Sequence, residues 1–159
     1  MAINPNTDFT SGAVLTAAQQ NRFPRGVMAL ATSTTNYVVT TTETIATGMT
    51  VTFTAVASRY YKVTYYEPTI TTPSTLLGFV ASRIRLTNAT GTQYQLQISQ
   101  TSAATSYTVG NNNVFVGTFS AGSVTLVGCL VANTTTGVPT AGRTSTQPSI
   151  LLVEDIGPA

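Results

Sequence analysis

The feature that most constrains the fold is a two-residue alternation of apolar and polar side chains, which recurs in several short segments. Between residues 49 and 58 the odd positions are apolar and the even positions are mostly threonine. Between residues 59 and 67, Tyr61, Val63 and Tyr65 share one side of an extended chain. A period of two is typical of a β-strand that buries one face and exposes the other to water. These segments therefore predict antiparallel β-structure.

Further segments extend this pattern towards the C-terminus. Residues 80–86 and 94–98 alternate in the same way and flank the turn residues Asn88 to Gly91, which predicts a hairpin. The run from Val124 to Val131 is apolar on both faces, so we expect this strand to be covered on both sides. Additional strands are predicted at 114–119 and 150–153, with a loop at 132–148. Roughly eight to ten short strands predict an all-β fold, an antiparallel β-sandwich that is jelly-roll-like.

The N-terminal segment has a different pattern. Residues 12–21 are rich in Ala, Leu and Gln, and Ser11 is placed to act as the N-cap of a short helix. Pro24 ends this predicted helix, and its apolar stripe is too narrow to stabilise about ten residues alone in water. We therefore expect residues 1–25 to form an N-terminal docking arm and residues 26–159 to form the β-sandwich domain. The arm residues expected to make docking contacts are Phe9, Val14, Leu15, Phe23 and Arg25.

Charged side chains are scarce, at 8% of the chain, whereas 33 Thr and 12 Ser make up 45 of the 159 residues. The seven basic residues are scattered, so no nucleic-acid-binding patch is predicted. No apolar run approaches the roughly 18 residues that span a bilayer, and the N-terminus lacks the blocks of a signal peptide. We expect no membrane insertion and a protein that is made in a cytoplasm. The single cysteine, Cys129, lies in an apolar run and is interpreted as a buried thiol.

The residues available for chemistry argue against an enzyme. The chain has no histidine, which removes the commonest general base and metal ligand, and one cysteine cannot form a thiolate metal site. We expect no catalytic residues, no metal and no cofactor. A pair of carboxylates is the remaining option. Adjacent Glu154 and Asp155 point to opposite sides of a strand and therefore cannot form such a pair. The spacing of Glu43 and Glu67 does not exclude a catalytic pair, but solvated charges at strand edges also explain these two residues.

Two groups of side chains are candidates for binding. Arg83 and Arg85 share one strand face, where they can stack on sugars, pair with the carboxylates of a partner, or simply form the wet face of a sheet. Tyr60, Tyr65 and Tyr66 can form a platform for sugars, although tyrosine is also an ordinary strand residue. The candidate contacts with a partner or glycan are therefore Arg83, Arg85, Tyr60 and Tyr66.

Three segments of the chain carry a resemblance: residues 9–21 with 23–27 (FTSGAVLTAAQQN and FPRGV), residues 51–63 (VTFTAVASRYYKV) and residues 150–159 (ILLVEDIGPA). They resemble small β-rich virion structural proteins of tailed bacteriophages, of the minor tail, fibre-tip or capsid-decoration type. The resemblance implies a β-rich, often oligomeric virion component and supplies no catalytic or metal residues. The collagen-like Gly-X-Y stalk of some fibre proteins is absent from this sequence, which favours a compact decoration or knob.

The expected function is therefore that of a non-enzymatic virion structural protein. We expect an oligomeric decoration of the capsid surface, with a receptor-binding tail knob or minor tail protein as the alternative and a free carbohydrate-binding module as a further one. The doubly apolar strand and the short helix suggest burial by other copies, and the resemblance favours a homotrimer. The expected partners are the chain itself, major capsid or tail proteins of the virion, and a host surface glycan.

Overall fold

The computed structural model describes residues 11–72, 79–100, 107–133 and 139–159. These residues form a single short helix, α1 (Ala17–Gln20), and ten strands. Among them, no helix is long and apolar enough to span a membrane. The strands are β1 (Gly26–Ser33), β2 (Tyr37–Val38), β3 (Thr44–Ala55), β4 (Arg59–Thr72), β5 (Phe79–Leu86), β6 (Gln93–Gln100), β7 (Tyr107–Gly117), β8 (Gly122–Ala132), β9 (Thr140–Gly142) and β10 (Ser149–Pro158).

The strands form two antiparallel sheets that pack face to face. In the six-stranded sheet, β1, β10, β4 and β7 lie side by side, because β10 and β7 pair with opposite edges of β4. The short strands β9 and β2 continue this sheet beside the C-terminal half of β4. The four-stranded sheet has the order β3-β8-β5-β6. The predicted all-β sandwich is confirmed.

The connectivity is that of a jelly roll. The hairpin of β5 and β6 lies at the centre of the sequence, and β4 pairs with β7, β3 with β8 and β1 with β10 at increasing separation along the chain. The chain therefore folds like one long hairpin that is wrapped into two sheets of four main strands, which is the jelly-roll arrangement.

The core lies between the sheets, where the predicted alternation is observed. Met49, Val51 and Phe53 of β3 and Tyr61 and Val63 of β4 are buried, as the two-residue period predicts. The remaining large buried side chains include Tyr65, Ile70, Ile84, Leu126, Leu130 and Leu151. At one end of the sandwich, five rings form an aromatic cluster with centroids 4.8 to 5.9 Å apart: Phe53, Tyr61, Tyr94, Phe115 and Phe119.

Three local predictions were wrong. The predicted loop at 132–148 contains strand β9 (Thr140–Gly142), which pairs with β2 and β4. The helix begins at Ala17 rather than residue 12, and its N-cap is Thr16, whose side chain accepts a hydrogen bond from Gln19, rather than Ser11. Residues 12–16 are exposed, and Val14 is 90% exposed, so this segment packs against no surface that would stabilise a longer helix. Strand β7 begins at Tyr107 rather than near Val114. Its polar residues Asn111 and Asn113 face inward, where both donate hydrogen bonds to Ser82.

Candidate functional site

The ionic groups of the described residues pair with one another. Each of the four acidic residues that the structure describes forms an ion pair: Asp155 with Arg59, Glu154 with Lys62, Glu43 with Arg83 and Arg85, and Glu67 with Arg143. In the same residues there is no cluster of metal-ligating side chains. Glu43 and Glu67 are not brought together, because Glu43 lies with Arg83 and Arg85 on the outer face of the four-stranded sheet, whereas Glu67 lies within the sandwich. As predicted, Glu154 and Asp155 lie on opposite sides of β10, with Asp155 buried.

The pair of Glu67 and Arg143 lies within the sandwich, where both side chains are 0% exposed. Arg143 donates from Nη2 to Glu67 Oε1 over 2.6 Å and from Nε to Oε2 over 3.1 Å. Tyr65 donates its hydroxyl proton to Glu67 Oε1 over 2.5 Å, and the Ser149 hydroxyl donates to Oε2. Burial, followed by the charge of Glu67, raises the pKa of Tyr65 well above its usual value. This network is enclosed within the sandwich and links β4 to β10 and to Arg143.

Arg83, Arg85 and Glu43 form a cluster on the outer face of the four-stranded sheet. Both arginines donate hydrogen bonds to the Glu43 carboxylate. In the sheet register, Arg83 lies beside Cys129 and Arg85 beside Val127, and both of these β8 residues are fully buried although they point away from the core. Burial raises the pKa of the Cys129 thiol to about 12. The prediction that β8 is covered on both sides is confirmed, but the cover belongs to the same chain, so this strand gives no argument for a second copy.

The candidate binding residues do not converge on one site. Tyr60 and Tyr66 lie on the outer face of the six-stranded sheet, whereas Arg83 and Arg85 lie on the outer face of the opposite sheet. Tyr65, which we considered as part of a tyrosine platform, is instead wholly buried, since the alternation of β4 turns it into the core. A platform made of all three tyrosines was therefore a wrong expectation. Contact of the remaining residues with a partner or glycan stays a prediction.

The outer face of the six-stranded sheet carries apolar side chains from β1, β10 and β7, whereas β4 contributes Lys62, Thr64 and Tyr66 between them. In one row, Val116 of β7, Lys62 of β4, Glu154 of β10 and Val27 of β1 are neighbours. The next row consists of Val114, Thr64, Leu152 and Leu30, and Ile150 follows beside Tyr66. We call the apolar members of these rows the apolar face: Val27, Leu30, Val114, Val116, Ile150 and Leu152.

The exposure of the apolar face is unusual for a sheet. Val27 is 61%, Leu30 57% and Val116 53% exposed, so both lateral edges of the face carry large apolar side chains in water. The charged groups within its rows are Lys62 and Glu154, which pair with each other over 3.1 Å. Contiguous exposed apolar surface of this kind marks interaction sites in soluble proteins.

The C-terminal end of the predicted arm is attached to the sandwich. Arg59, which is buried and paired with Asp155, donates from Nη1 to the carbonyl oxygen of Asn21 and from Nη2 to that of Phe23, both over 2.6 Å. The hydrogen bond and charge of Asp155 raise the pKa of Arg59. Among the predicted docking residues, Val14, Leu15, Phe23 and Arg25 are exposed, and Phe9 lies outside the described residues. Docking through this segment stays a prediction.

A surface cleft of about 380 Å³ opens at the end of the sandwich that carries the aromatic cluster. Phe119 and Val124, both buried, lie at its base, and Tyr94 of β6 forms part of its wall. Burial raises the pKa of Tyr94. The rim carries hydroxyl side chains from two connections and from β8: Thr87, Thr118, Ser120, Ser123 and Thr125. No side chain that lines the cleft carries a charge.

The comparisons with known proteins assign the chain to no family. No protein-family model matches the chain. No curated protein sequence is significantly similar to it.

Sequence reasoning missed the apolar face, the cleft and the two buried arginines. The face combines side chains from residue 27 to residue 152, so it depends on strand pairing that no local pattern reveals. A usable signal was present for Arg143, which is an isolated cation in a segment that is rich in apolar and hydroxyl residues. Such a cation, in a chain with very few acids, indicates a buried pair.

Proposed function

We propose that this protein is a non-enzymatic structural subunit of a bacteriophage particle that associates with copies of itself through the apolar face. The observation that carries the proposal is the set of exposed apolar side chains that β1, β10 and β7 place on one face of the six-stranded sheet. Burial of apolar area is the dominant favourable contribution to most protein association. A face of this kind is therefore suited to a permanent contact.

The charge pattern of the face favours a second copy as its partner. Lys62 and Glu154 lie side by side, so the face is electrically neutral and offers one group of each sign. Any copy of the same face supplies the complementary charges without a dedicated partner. The two lateral edges, Val116 on one side and Val27 with Leu30 on the other, are both apolar, so one edge can pack against the opposite edge of a neighbour. Repetition of this contact closes a ring, in line with the homotrimer that the resemblance implies.

The non-enzymatic part of the proposal is supported by the ionic groups. Each acidic residue in the described part of the chain is bound to a cation, and Glu67 and Asp155 are buried. A carboxylate whose oxygen atoms already accept hydrogen bonds from an arginine has fewer lone pairs available to take a proton from a substrate. These acids stabilise the fold rather than react with a substrate.

The assignment to a phage particle rests on the resemblance of the terminal segments and of residues 51–63. The jelly roll is compatible with it, because viral capsid proteins and lectins both use this arrangement. We favour a decoration of the capsid surface, bound to the major capsid protein. The second candidate, a receptor-binding tail knob or minor tail protein, is favoured by one specific observation, the uncharged cleft beside Tyr94.

Self-association is tested by light scattering coupled to size-exclusion chromatography. The wild-type protein should elute with three times the chain mass of 16.6 kDa, and Val116→Lys should elute as a monomer. The matched control is Ile98→Lys, since Ile98 is also 53% exposed and lies on an edge strand of the other sheet. A wild-type monomer at micromolar concentration, or equal disruption by both variants, would contradict the role of the apolar face.

The position on the particle is tested by the number of copies per virion, measured by quantitative mass spectrometry of purified phage. Hundreds of copies support a capsid decoration. A handful of copies in multiples of three supports the tail knob, and complete absence from the virion refutes the phage assignment.

A further inference from the structure

We infer that the cleft beside Tyr94 binds a neutral saccharide. This inference concerns a different surface from the apolar face and does not depend on self-association. The cleft is formed by β5, β6 and β8 of the four-stranded sheet and by the connection between β7 and β8, at one end of the sandwich. Its volume of about 380 Å³ lies at the lower end of the range of small-molecule sites, which is roughly 300–1,000 Å³.

The chemistry of the lining selects the class of ligand. Within the described part of the chain, the hydroxyls of Thr87, Thr118, Ser120 and Ser123 have no hydrogen-bond partner, so each can donate one hydrogen bond and accept others. The Tyr94 hydroxyl has no partner among the described residues either. A ligand with many hydroxyl groups matches such a lining. The absence of charge from the lining favours a neutral sugar over a sialic or uronic acid.

Tyr94 supplies a fixed aromatic surface. Its ring packs against Phe115 with centroids 4.8 Å apart and against the edge of Phe119 with centroids 5.4 Å apart. Both phenylalanines belong to the aromatic cluster, so the ring is held in place before a ligand arrives. An aromatic ring offers a large contact area with little loss of conformational entropy, and the apolar face of a pyranose packs well on it.

Thr87 gives a second, independent indication. Its φ is 67°, in the left-handed region that a β-branched residue rarely adopts. Glycine or asparagine would adopt this conformation with less strain. The Thr87 N–H donates to the carbonyl oxygen of Thr125 over 2.9 Å, which holds the residue in this conformation. Strained residues cluster at binding sites, and here the strain places a hydroxyl-bearing side chain on the rim of the cleft.

The experiment titrates sugars into isotope-labelled full-length protein and follows backbone amide chemical shifts. The probes are glucose, galactose and N-acetylglucosamine, each as the monosaccharide and as a disaccharide, with N-acetylneuraminic acid and galacturonic acid as the charged counterparts. We expect saturable shifts around residues 86–94 and 118–125 with at least one neutral sugar. Tighter binding of the disaccharide would indicate a polysaccharide as the source, and equal binding would indicate a free sugar.

Thr87→Gly is the decisive variant, and Ser58→Gly is its matched control. Among the residues that the structure describes, Ser58 is the other non-glycine residue with a positive φ, at 58°, and it does not line the cleft. Both substitutions relieve backbone strain and should leave the protein folded. Thr87→Gly should weaken sugar binding about threefold to tenfold, the effect of one lost hydrogen bond, whereas Ser58→Gly should not change it.

The contribution of the ring is tested separately. Tyr94→Leu should abolish detectable binding, and Tyr94→Phe should retain most of it. No shift with any probe, binding of only the acidic sugars, or equal affinity of the wild type and Thr87→Gly would each overturn the inference. The mass of each variant, measured by light scattering, reports on self-association, so that failure of sugar binding is distinguished from failure of the structural proposal.

Discussion

Replacement of Glu67 by glutamine should cause a large loss of stability. Glu67 and Arg143 are both fully buried, and the carboxylate accepts two hydrogen bonds from Arg143 and one each from Tyr65 and Ser149. Glu67→Gln keeps the shape of the side chain but leaves the buried guanidinium without its counter-charge. It also turns one acceptor into an NH₂ group that faces donors.

The magnitude follows from the burial. Removal of one partner of a buried ion pair costs about 3–5 kcal/mol, compared with a total stability of roughly 5–15 kcal/mol for a domain. The matched control is Glu154→Gln. The side chains of Glu154 and Lys62 are 29% and 43% exposed, and exposed ion pairs contribute about 0–1 kcal/mol to stability. We therefore expect the two variants to differ by about 2–5 kcal/mol.

The assay is urea denaturation of both variants in the Val116→Lys background, so that self-association does not add to the measured stability. With a urea dependence of about 2 kcal/mol per molar, a loss of about 4 kcal/mol lowers the midpoint by about 2 M. Adding Arg143→Met to Glu67→Gln should recover part of the loss, because it removes the unpaired charge. Equal midpoints for Glu67→Gln and Glu154→Gln would refute the reasoning.

Three further predictions concern single positions. Gly128→Ala should destabilise the fold by about 1–3 kcal/mol in the same assay, because a Cβ atom at this position would lie 2.8 Å from the Tyr65 ring. No change in stability would mean that the ring moves freely. Cys129 should resist thiol reagents at pH 8 until the protein unfolds, and rapid labelling of the native protein would contradict this. Because folding raises the pKa of Cys129 from 9.0 to about 12, the stability of the protein should fall as the pH rises between these two values. Arg59→Gln should release the segment that ends at Phe23 and speed its cleavage in limited proteolysis, and an unchanged cleavage rate would show that other contacts hold the segment.

The sequence predicts the sandwich well because its main signal is local. The alternation in residues 49–58 and 59–67 assigns Val51, Phe53 and Tyr61 to the core, and the structure buries all three. The hairpin of β5 and β6 is equally local, since a short turn joins its strands. Each of these predictions needs only the period of the side chains and the chemistry of the turn.

Features that depend on distant residues could not be predicted. The outer side of β8 is covered by Arg83 and Arg85, because Glu43 binds both arginines. Nothing in the local sequence relates Glu43 to these arginines, which lie 40 and 42 residues further along the chain. From the sequence alone, the doubly apolar strand therefore predicts a contact with another copy. The positive φ of Thr87 is also hidden from the sequence, because threonine usually indicates extended backbone.

The pairing of charges within the chain also determines how self-association responds to salt. The four described acids are held in internal ion pairs, and the apolar face is neutral, so its association depends on the burial of apolar area. Added sodium chloride screens charges but leaves this contribution nearly unchanged, whereas sulfate strengthens it. Between about 0.05 and 0.5 M sodium chloride we expect the dissociation constant of the oligomer to change less than about twofold. Sedimentation equilibrium measures this constant, with sodium sulfate at equal ionic strength as the comparison, and we expect tighter association in sulfate. Dissociation that rises steeply with sodium chloride would mean that charged groups, such as exposed Arg25, hold the copies together instead of the apolar face.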